Sequence, residues 1–303
     1  MNNPIKTYAV LAALVLLAAC QPVTHEGKGI GVVFMHGRGA ANPTGGGTGD
    51  LVRSMERYGV SVAAPRMPWA GSRGEPDYSG TMEDALALVK AEIARLRAAG
   101  NGIIILGGMS AGGLSAIGMA ALLDGIAGVM AIAPAPTVDL IDGRGDHPAL
   151  LKLMARMPPA ARRRSAAIRN RLWAQTRKAM DLIAAGKGDA KTRFQASNIN
   201  NQGRYDFDII TTPNIYFSYN DPNGMRAMSL NTPKLNPKTA LLWVNDNQGL
   251  TRRLGRSYAF DLARANAGNR YVELDVLHLG APAASAEIVR EWLLRLAPPK
   301  PAG

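Results

Sequence analysis

Ile103-Ile104-Ile105-Leu106-Gly107-Gly108-Met109-Ser110-Ala111-Gly112-Gly113 is the stretch that decides the fold. Its first four residues are apolar without interruption, the composition of a strand covered on both faces. Gly-Met-Ser-Ala-Gly follows, and then an Ala-rich run of helical character. A G-x-S-x-G turn between a strand and a helix puts the serine on a tight bend. Flanking glycines avoid clashes there, and the hydroxyl stands above the sheet. Ser110 is therefore a candidate nucleophile, with backbone donors supplied by the helix behind it. The competing reading is a serine in a Gly-rich bend that only packs a helix on a strand.

Similar apolar runs lie on either side, at 30–35, 60–64, 129–133, 240–244 and 271–276, the last alternating more than the others. Between them come helical patterns. Met82, Leu86, Val89, Ile93 and Leu96 recur at i+3 or i+4, with Gly100 as a stop signal, and Ile288, Val289, Trp292, Leu293 and Leu296 form a closing apolar face. Strands alternating with helices predict a mostly parallel sheet with helices on both faces. The alternation breaks at about 140–238, too long for a loop. Within it 160–185 has helical character, with Ile168, Leu172, Met180 and Ile183 on one stripe, so an insertion of helices is expected. The Pro-rich tail, 298–303, is expected to be disordered.

The chain of 303 residues, 47% of them hydrophobic, is long enough for one large domain and excludes disorder and collagen-like repeats. One cysteine excludes an intramolecular disulfide and thiolate-rich zinc sites. The net charge of +12 would ordinarily raise nucleic acid or anionic membranes as partners. Its location argues otherwise for nucleic acid. Residues 152–193 carry twelve basic side chains and two acids, which is ten of the twelve net charges, with only Trp173 and the adjoining Phe194 to stack on a base. Single-strand readers interleave basic and aromatic residues, so no nucleic-acid partner is expected.

A serine hydroxyl needs a general base. Of the four histidines, His25 precedes the first strand, His36 belongs to another motif, and His147 opens the insertion. His278 follows the last strand and is the candidate base. A carboxylate must orient its imidazole, and in the order Ser, acid, His it falls between Ser110 and His278. Asp246 ends the run Ala240-Leu241-Leu242-Trp243-Val244-Asn245, at the strand edge where sites of open α/β sheets gather. Asp142, after the preceding strand, is the chief alternative. Asp275 sits within the last strand pattern, and Asp221 reads as a turn in Asn220-Asp221-Pro222. His36-Gly37-Arg38-Gly39 ends the first strand, where small residues let the backbone approach a substrate carbonyl. The candidate oxyanion donors are the backbone N–H groups of Arg38 and Ala111, with His36 structural. Gly45-Gly46-Gly47 raises a phosphate loop, but G-x-x-x-x-G-K-[ST] is lacking. No metal or organic cofactor is implied.

The H-G-x-G strand end, the G-x-S-x-G elbow, an Asp after a later strand and a His after the last occur in the order of the α/β-hydrolases, and residues 29–297 resemble that family. The resemblance implies an α/β-hydrolase fold whose insertion, about 140–238, is a basic helical cap. It also implies hydrolysis of an ester, thioester or amide through an acyl-enzyme on Ser110, esterase or lipase chemistry on a small-molecule or lipid ester being the leading expectation. Gly108-Met109-Ser110-Ala111-Gly112-Gly113 is also similar to the G-x-S-A-G-G of hormone-sensitive-lipase-like esterases, but Arg38 departs from their H-G-G-G. A serine peptidase or an acyltransferase would use the same residues; a non-catalytic binding lipoprotein that keeps the fold is the alternative of another class, disfavoured because all three triad positions and the oxyanion turn are filled. The basic cap could bind an anionic substrate, with Arg38 projecting toward an acidic group. It could instead rest on an anionic leaflet, where each cation contributes roughly 1 kcal/mol, or present a solvated face.

At the N-terminus Lys6 precedes an apolar run, 8–19, too short for the roughly 20 residues a membrane span needs. Leu17-Ala18-Ala19-Cys20 resembles a bacterial lipoprotein signal. The resemblance implies a signal peptide over 1–19, a lipidated Cys20 as mature N-terminus, and a tether over 20–28. Several acyl chains are what stable anchoring requires. The expected location is the cell envelope, anchored on the periplasmic side, with Gln21 pointing to the outer membrane. An ordinary secretory signal is the alternative.

Overall fold

The computed structural model describes residues 26–72, 75–135, 148–200, 203–247 and 250–297. The expected signal peptide and Cys20, the histidines His25 and His147, the acid Asp142 and the tail at 298–303 lie outside these residues. The last residues assigned to the tether, 26–28, form a turn held to the domain. Glu26 pairs with Arg290 at 2.9 Å, and the Gly27 N–H donates to the Tyr58 carbonyl at 2.7 Å.

Six strands form one parallel sheet: β1 (Ile30–Met35), β2 (Ser61–Ala63), β3 (Ile103–Met109), β4 (Gly128–Ile132), β7 (Ala240–Asn245) and β8 (Arg270–Glu273). The intervening β5 and β6 belong to the insertion. The sheet order is β8-β7-β4-β3-β1-β2, every pair parallel. Successive residues of β1 point to opposite faces, and both faces are covered. Val33 and Met35 join one core, and Ile30, Val32 and Phe34 the other. That is why the central strands read as unbroken apolar runs.

On one face lie α1 (Gly47–Arg57) and the closing helix α7 (Ala286–Leu296), burying Leu51, Met55, Val289 and Trp292. On the other lie α2 (Met82–Ala98) and α3 (Ala111–Ala120). Helix α2 starts where Thr81 and Asp84 close a capping box and buries Met82, Ala85, Val89, Ile93 and Leu96 as one stripe. Each large side chain fully buried in this way contributes about 1.5–3 kcal/mol. Among the described residues, no helix is long and apolar enough to cross a membrane.

The insertion between β4 and β7 departs from the expectation of helices alone. It contains α4 (Pro148–Arg156), the long α5 (Pro159–Ala184) and α6 (Pro213–Asn220). It also contains an antiparallel hairpin of β5 (Thr192–Asn200) and β6 (Gly203–Thr211), paired from Thr192↔Thr211 to Asn200↔Gly203. Alternation explains the hairpin: Phe194, Ala196 and Ile209 turn inward while Ile210 is 62% exposed. The stripe on α5 is also rotated from the expected one. Thr176 and Ala179 are buried, whereas Met180, one residue further round, is exposed. Arg162, Arg163, Arg177 and Lys178 face outward. The insertion is fastened to the core through α6. Ser218 Oγ accepts from the Met82 N–H at 3.1 Å, and the Tyr219 hydroxyl donates to the Gly80 carbonyl at 2.8 Å.

Candidate active site

Ser110 stands at the end of β3 with φ 53° and ψ −116°, a strained conformation for a residue with a side chain. Tight packing forces the bend. A side chain on Gly112 would collide with the Met35 carbonyl, and one on Gly108 with the Gly112 backbone. The Ser110 N–H is held by the Ile132 carbonyl of β4 at 2.9 Å. Two other non-glycine residues have positive φ among those described, Ala133 at the end of β4 and Tyr78 in the loop before α2. All three lie beyond the C-terminal ends of the parallel strands, where open α/β sheets build their sites.

Asp246 follows β7, and its side chain is fully buried. His278 begins a short 3-10 turn, His278–Gly280, in the segment after β8. Its Nδ1 donates to Asp246 Oδ2 at 2.5 Å, which leaves Nε2 as the nitrogen able to accept a proton. Parallel pairing of β7 with β8 makes this meeting possible. The Leu274 N–H donates to the Asn245 carbonyl at 2.8 Å, and the Asn247 N–H to the Val276 carbonyl at 3.0 Å, so the two chain exits stay side by side.

Ser110 Oγ has no hydrogen-bond partner among the described residues; the structure pairs His278 with Asp246 and not with Ser110. Serine–histidine bonds are commonly long until substrate is bound. The two segments are nonetheless linked through α1. Thr48 Oγ1 lies 3.9 Å from the Sδ of Met109, and a methyl on neighbouring Gly47 would stand 2.8 Å from the carbonyl of Leu279. The residues beside Ser110 and His278 thus pack on one helix N-terminus. The Gly45-Gly46-Gly47 run weighed above as a phosphate loop serves this contact.

The loop after β1 lies against the nucleophile, with a methyl on Gly37 placed 3.6 Å from Ser110 Cβ. His36 is buried and anchors the loop. Its Nδ1 donates to the Gly37 carbonyl at 2.8 Å, its Nε2 accepts from the Met67 N–H at 3.0 Å, and its own carbonyl accepts from Trp69 Nε1 at 2.9 Å. Burial holds its pKa below the ordinary value, outweighing the backbone bond to Gly37. His36 is therefore a neutral structural group here. The Gly39 N–H is taken by the Trp69 carbonyl at 2.9 Å, whereas the Arg38 N–H has no acceptor among the described residues. Ala111 opens α3, and the first N–H groups of a helix have no intrahelical acceptor. Both N–H groups are thus without a backbone acceptor among the described residues.

Trp69, Tyr78 and the segment around Arg226 were not singled out in the sequence. The prolines and glycines around Trp69, Pro65, Pro68 and Gly71 among them, are the local signal of the loop that carries the anchor. A separate cleft of about 710 Å³ is lined by Arg256, Phe260, Asn266, Asn269 and Tyr271. It lies at the start of edge strand β8, the opposite end of the sheet from Ser110, and no serine, cysteine or histidine lines it. Among the described residues, no group of three or more His, Cys, Asp or Glu is placed to hold a metal ion.

A parallel sheet covered on both faces, with an elbow after β3 and an insertion after β4, is the α/β-hydrolase fold. Solved structures share it. A lipolytic enzyme of the metagenome-derived LipS and LipT superposes with a TM-score of 0.54 at 15% identity, over 88% of this chain and 93% of that one. The Paleococcus ferrophilus monoacylglycerol lipase gives 0.52 at 18% identity, over 88% and 95%. Est1E from Butyrivibrio proteoclasticus, solved with ferulic acid bound, gives 0.51 at 13% identity, over 89% and 90%. No protein-family model and no curated protein matches the chain.

Proposed function

We propose that this chain is a serine hydrolase that cleaves carboxylic esters through an acyl-enzyme on Ser110. The observation that carries the reading is the buried Asp246 bound to His278 at the same sheet edge as a strained Ser110. In this reading His278 Nε2 takes the proton of the Ser110 hydroxyl as Oγ attacks the ester carbonyl. The negative charge on the carbonyl oxygen is received by the N–H groups of Arg38 and Ala111. His278 then protonates the departing alcohol, and water repeats the sequence to release the acid. Asp246 keeps the imidazole in the required tautomer and balances its transient charge. The esterases and lipases with the same fold support ester substrates over peptides.

Fluorophosphonate labelling of the domain from Gln21 onward, with mass mapping and short- and long-chain 4-nitrophenyl esters assayed in parallel, tests the reading. Modification of Ser110 with ester turnover is expected. A folded protein that takes no label would instead be a binding protein on a hydrolase scaffold. The Leu17-Ala18-Ala19-Cys20 motif further supports anchoring at the periplasmic side of a bacterial envelope membrane through a lipidated Cys20.

A further inference from the structure

Arg226 is a buried arginine, 6% exposed. It follows Met225, whose carbonyl packs so closely over Gly118 of α3 that no side chain would fit there. Its Nη1 donates to the Tyr219 carbonyl at 3.2 Å, and its Cζ stands 5.6 Å from the centre of the Tyr219 ring. Its Nε is buried with no hydrogen-bond partner. Buried donors are almost always satisfied, and a buried guanidinium without a counter-charge is costly.

The surroundings lead back to the oxyanion loop. Tyr219 stacks on the strained Tyr78 at 4.3 Å between centroids and takes the edge of Trp69 at 6.2 Å, and Trp69 holds the His36 carbonyl. From that loop the Arg38 side chain reaches the hairpin, its Cζ 5.9 Å from the Phe207 ring. Burial lowers the Arg226 pKa, and the nearby positive charge of Arg38 lowers it further, against the opposing pull of Tyr78. Neither arginine has a carboxylate partner among the described residues. Two cations thus lie near one another, Arg226 buried in the last part of the insertion with its Nε unused and Arg38 on the loop that packs against Ser110.

We propose that Arg226 and Arg38 together bind an oxyanion carried by the substrate, so that the ester cleaved at Ser110 bears a second, anionic group, a carboxylate or a phosphate. This rests on the serine-hydrolase reading for the reaction, but not for the binding. Guanidinium groups suit both oxyanions because their planar N–H forks match two oxygens at once. A neutral ester would leave both guanidinium groups without an anionic partner among the described residues.

The test compares 4-nitrophenyl hydrogen adipate with 4-nitrophenyl hexanoate, which differ in the terminal carboxylate. The wild type is expected to prefer the adipate ester by about ten-fold or more in kcat/KM, mainly through KM, the scale of a charge-assisted hydrogen bond. In Arg226→Met the preference falls toward parity, and Arg226→Lys restores part of it. Adipate and inorganic phosphate, each titrated calorimetrically into wild type and Arg226→Met, read the anion site without turnover and tell carboxylate from phosphate. Equal turnover of the two esters by a wild type labelled at Ser110 overturns the anionic-substrate inference while the hydrolase reading stands. Absence of the label at Ser110 removes the hydrolase reading, and the titrations then decide the anion site, no binding to the wild type overturning it. If Arg226→Met does not fold, the wild-type preference and titrations decide alone.

Discussion

His278 Nδ1 lies 2.5 Å from Asp246 Oδ2, joining residues 32 positions apart through the exits of two adjacent parallel strands. The carboxylate is fully buried and the imidazole one-third exposed, so the pair is fixed from its inner side and open to solvent on the other. Replacing the anion by an amide of equal size tests the role. Asp246→Asn is expected to fold and to lose about 10³–10⁴ in kcat, as loss of the orienting carboxylate does in triad enzymes. Asp142→Asn is expected to stay within a few-fold of wild type. The reverse ranking in steady-state assays would move the acid to Asp142.

Ser110→Ala keeps a Cβ in the same strained backbone and removes only the oxygen. Circular dichroism should be unchanged, with fluorophosphonate labelling and ester turnover abolished. Turnover at the wild-type rate would remove Ser110 from the chemistry.

Gly112 lies where the start of α3 presses on the end of β1. Gly112→Ala drives a methyl into the Met35 carbonyl, and overpacking of this kind costs about 1–3 kcal/mol. Denaturant unfolding should show that loss. The displaced helix start carries the Ala111 N–H with it, so kcat should fall as well.

His36 makes folding stability depend on pH. Burial lowers its folded-state pKa beneath the ordinary 6.5, so below that value the unfolded chain binds a proton that the folded chain does not. Stability contributed by neutral His36 is complete above 6.5 and is lost as pH falls toward the folded pKa, with a slope of at most about 1.4 kcal/mol per pH unit. His36→Gln should flatten this limb of a urea-midpoint-versus-pH profile. An unchanged slope would show that other groups set it.

Cys20→Ser addresses the anchor. Metabolic incorporation of palmitate and recovery in the membrane fraction should both disappear, while the released protein keeps the ester turnover proposed for the wild type. Palmitate labelling that persists would refute lipidation at Cys20.

The sheet was legible in the sequence because its central strands are buried on both faces, and such strands have no polar positions to blur the run. The hairpin of β5 and β6 was not. Its signal, Phe194 and Ala196 against Tyr205, Phe207 and Ile209 around Asn200 and Gly203, is ordinary alternation. It lies beside a long basic helix whose periodicity dominates the region. Helical character in α5 was evident, but its buried stripe was set by what the helix packs on. Small Thr176 and Ala179 therefore face inward and Met180 outward.

Sequence by itself determined the parallel α/β plan, the elbow at Ser110 and the order of serine, acid and histidine, because each rests on neighbours within a few residues. Tertiary structure alone decided which carboxylate His278 meets, how Gly47 and Thr48 tie the histidine turn to the elbow, and that Arg226 is buried under a tyrosine stack near Arg38. Those relationships join segments from tens to more than two hundred residues apart. Strand register and helix packing bring them together, and no local pattern encodes such a distance.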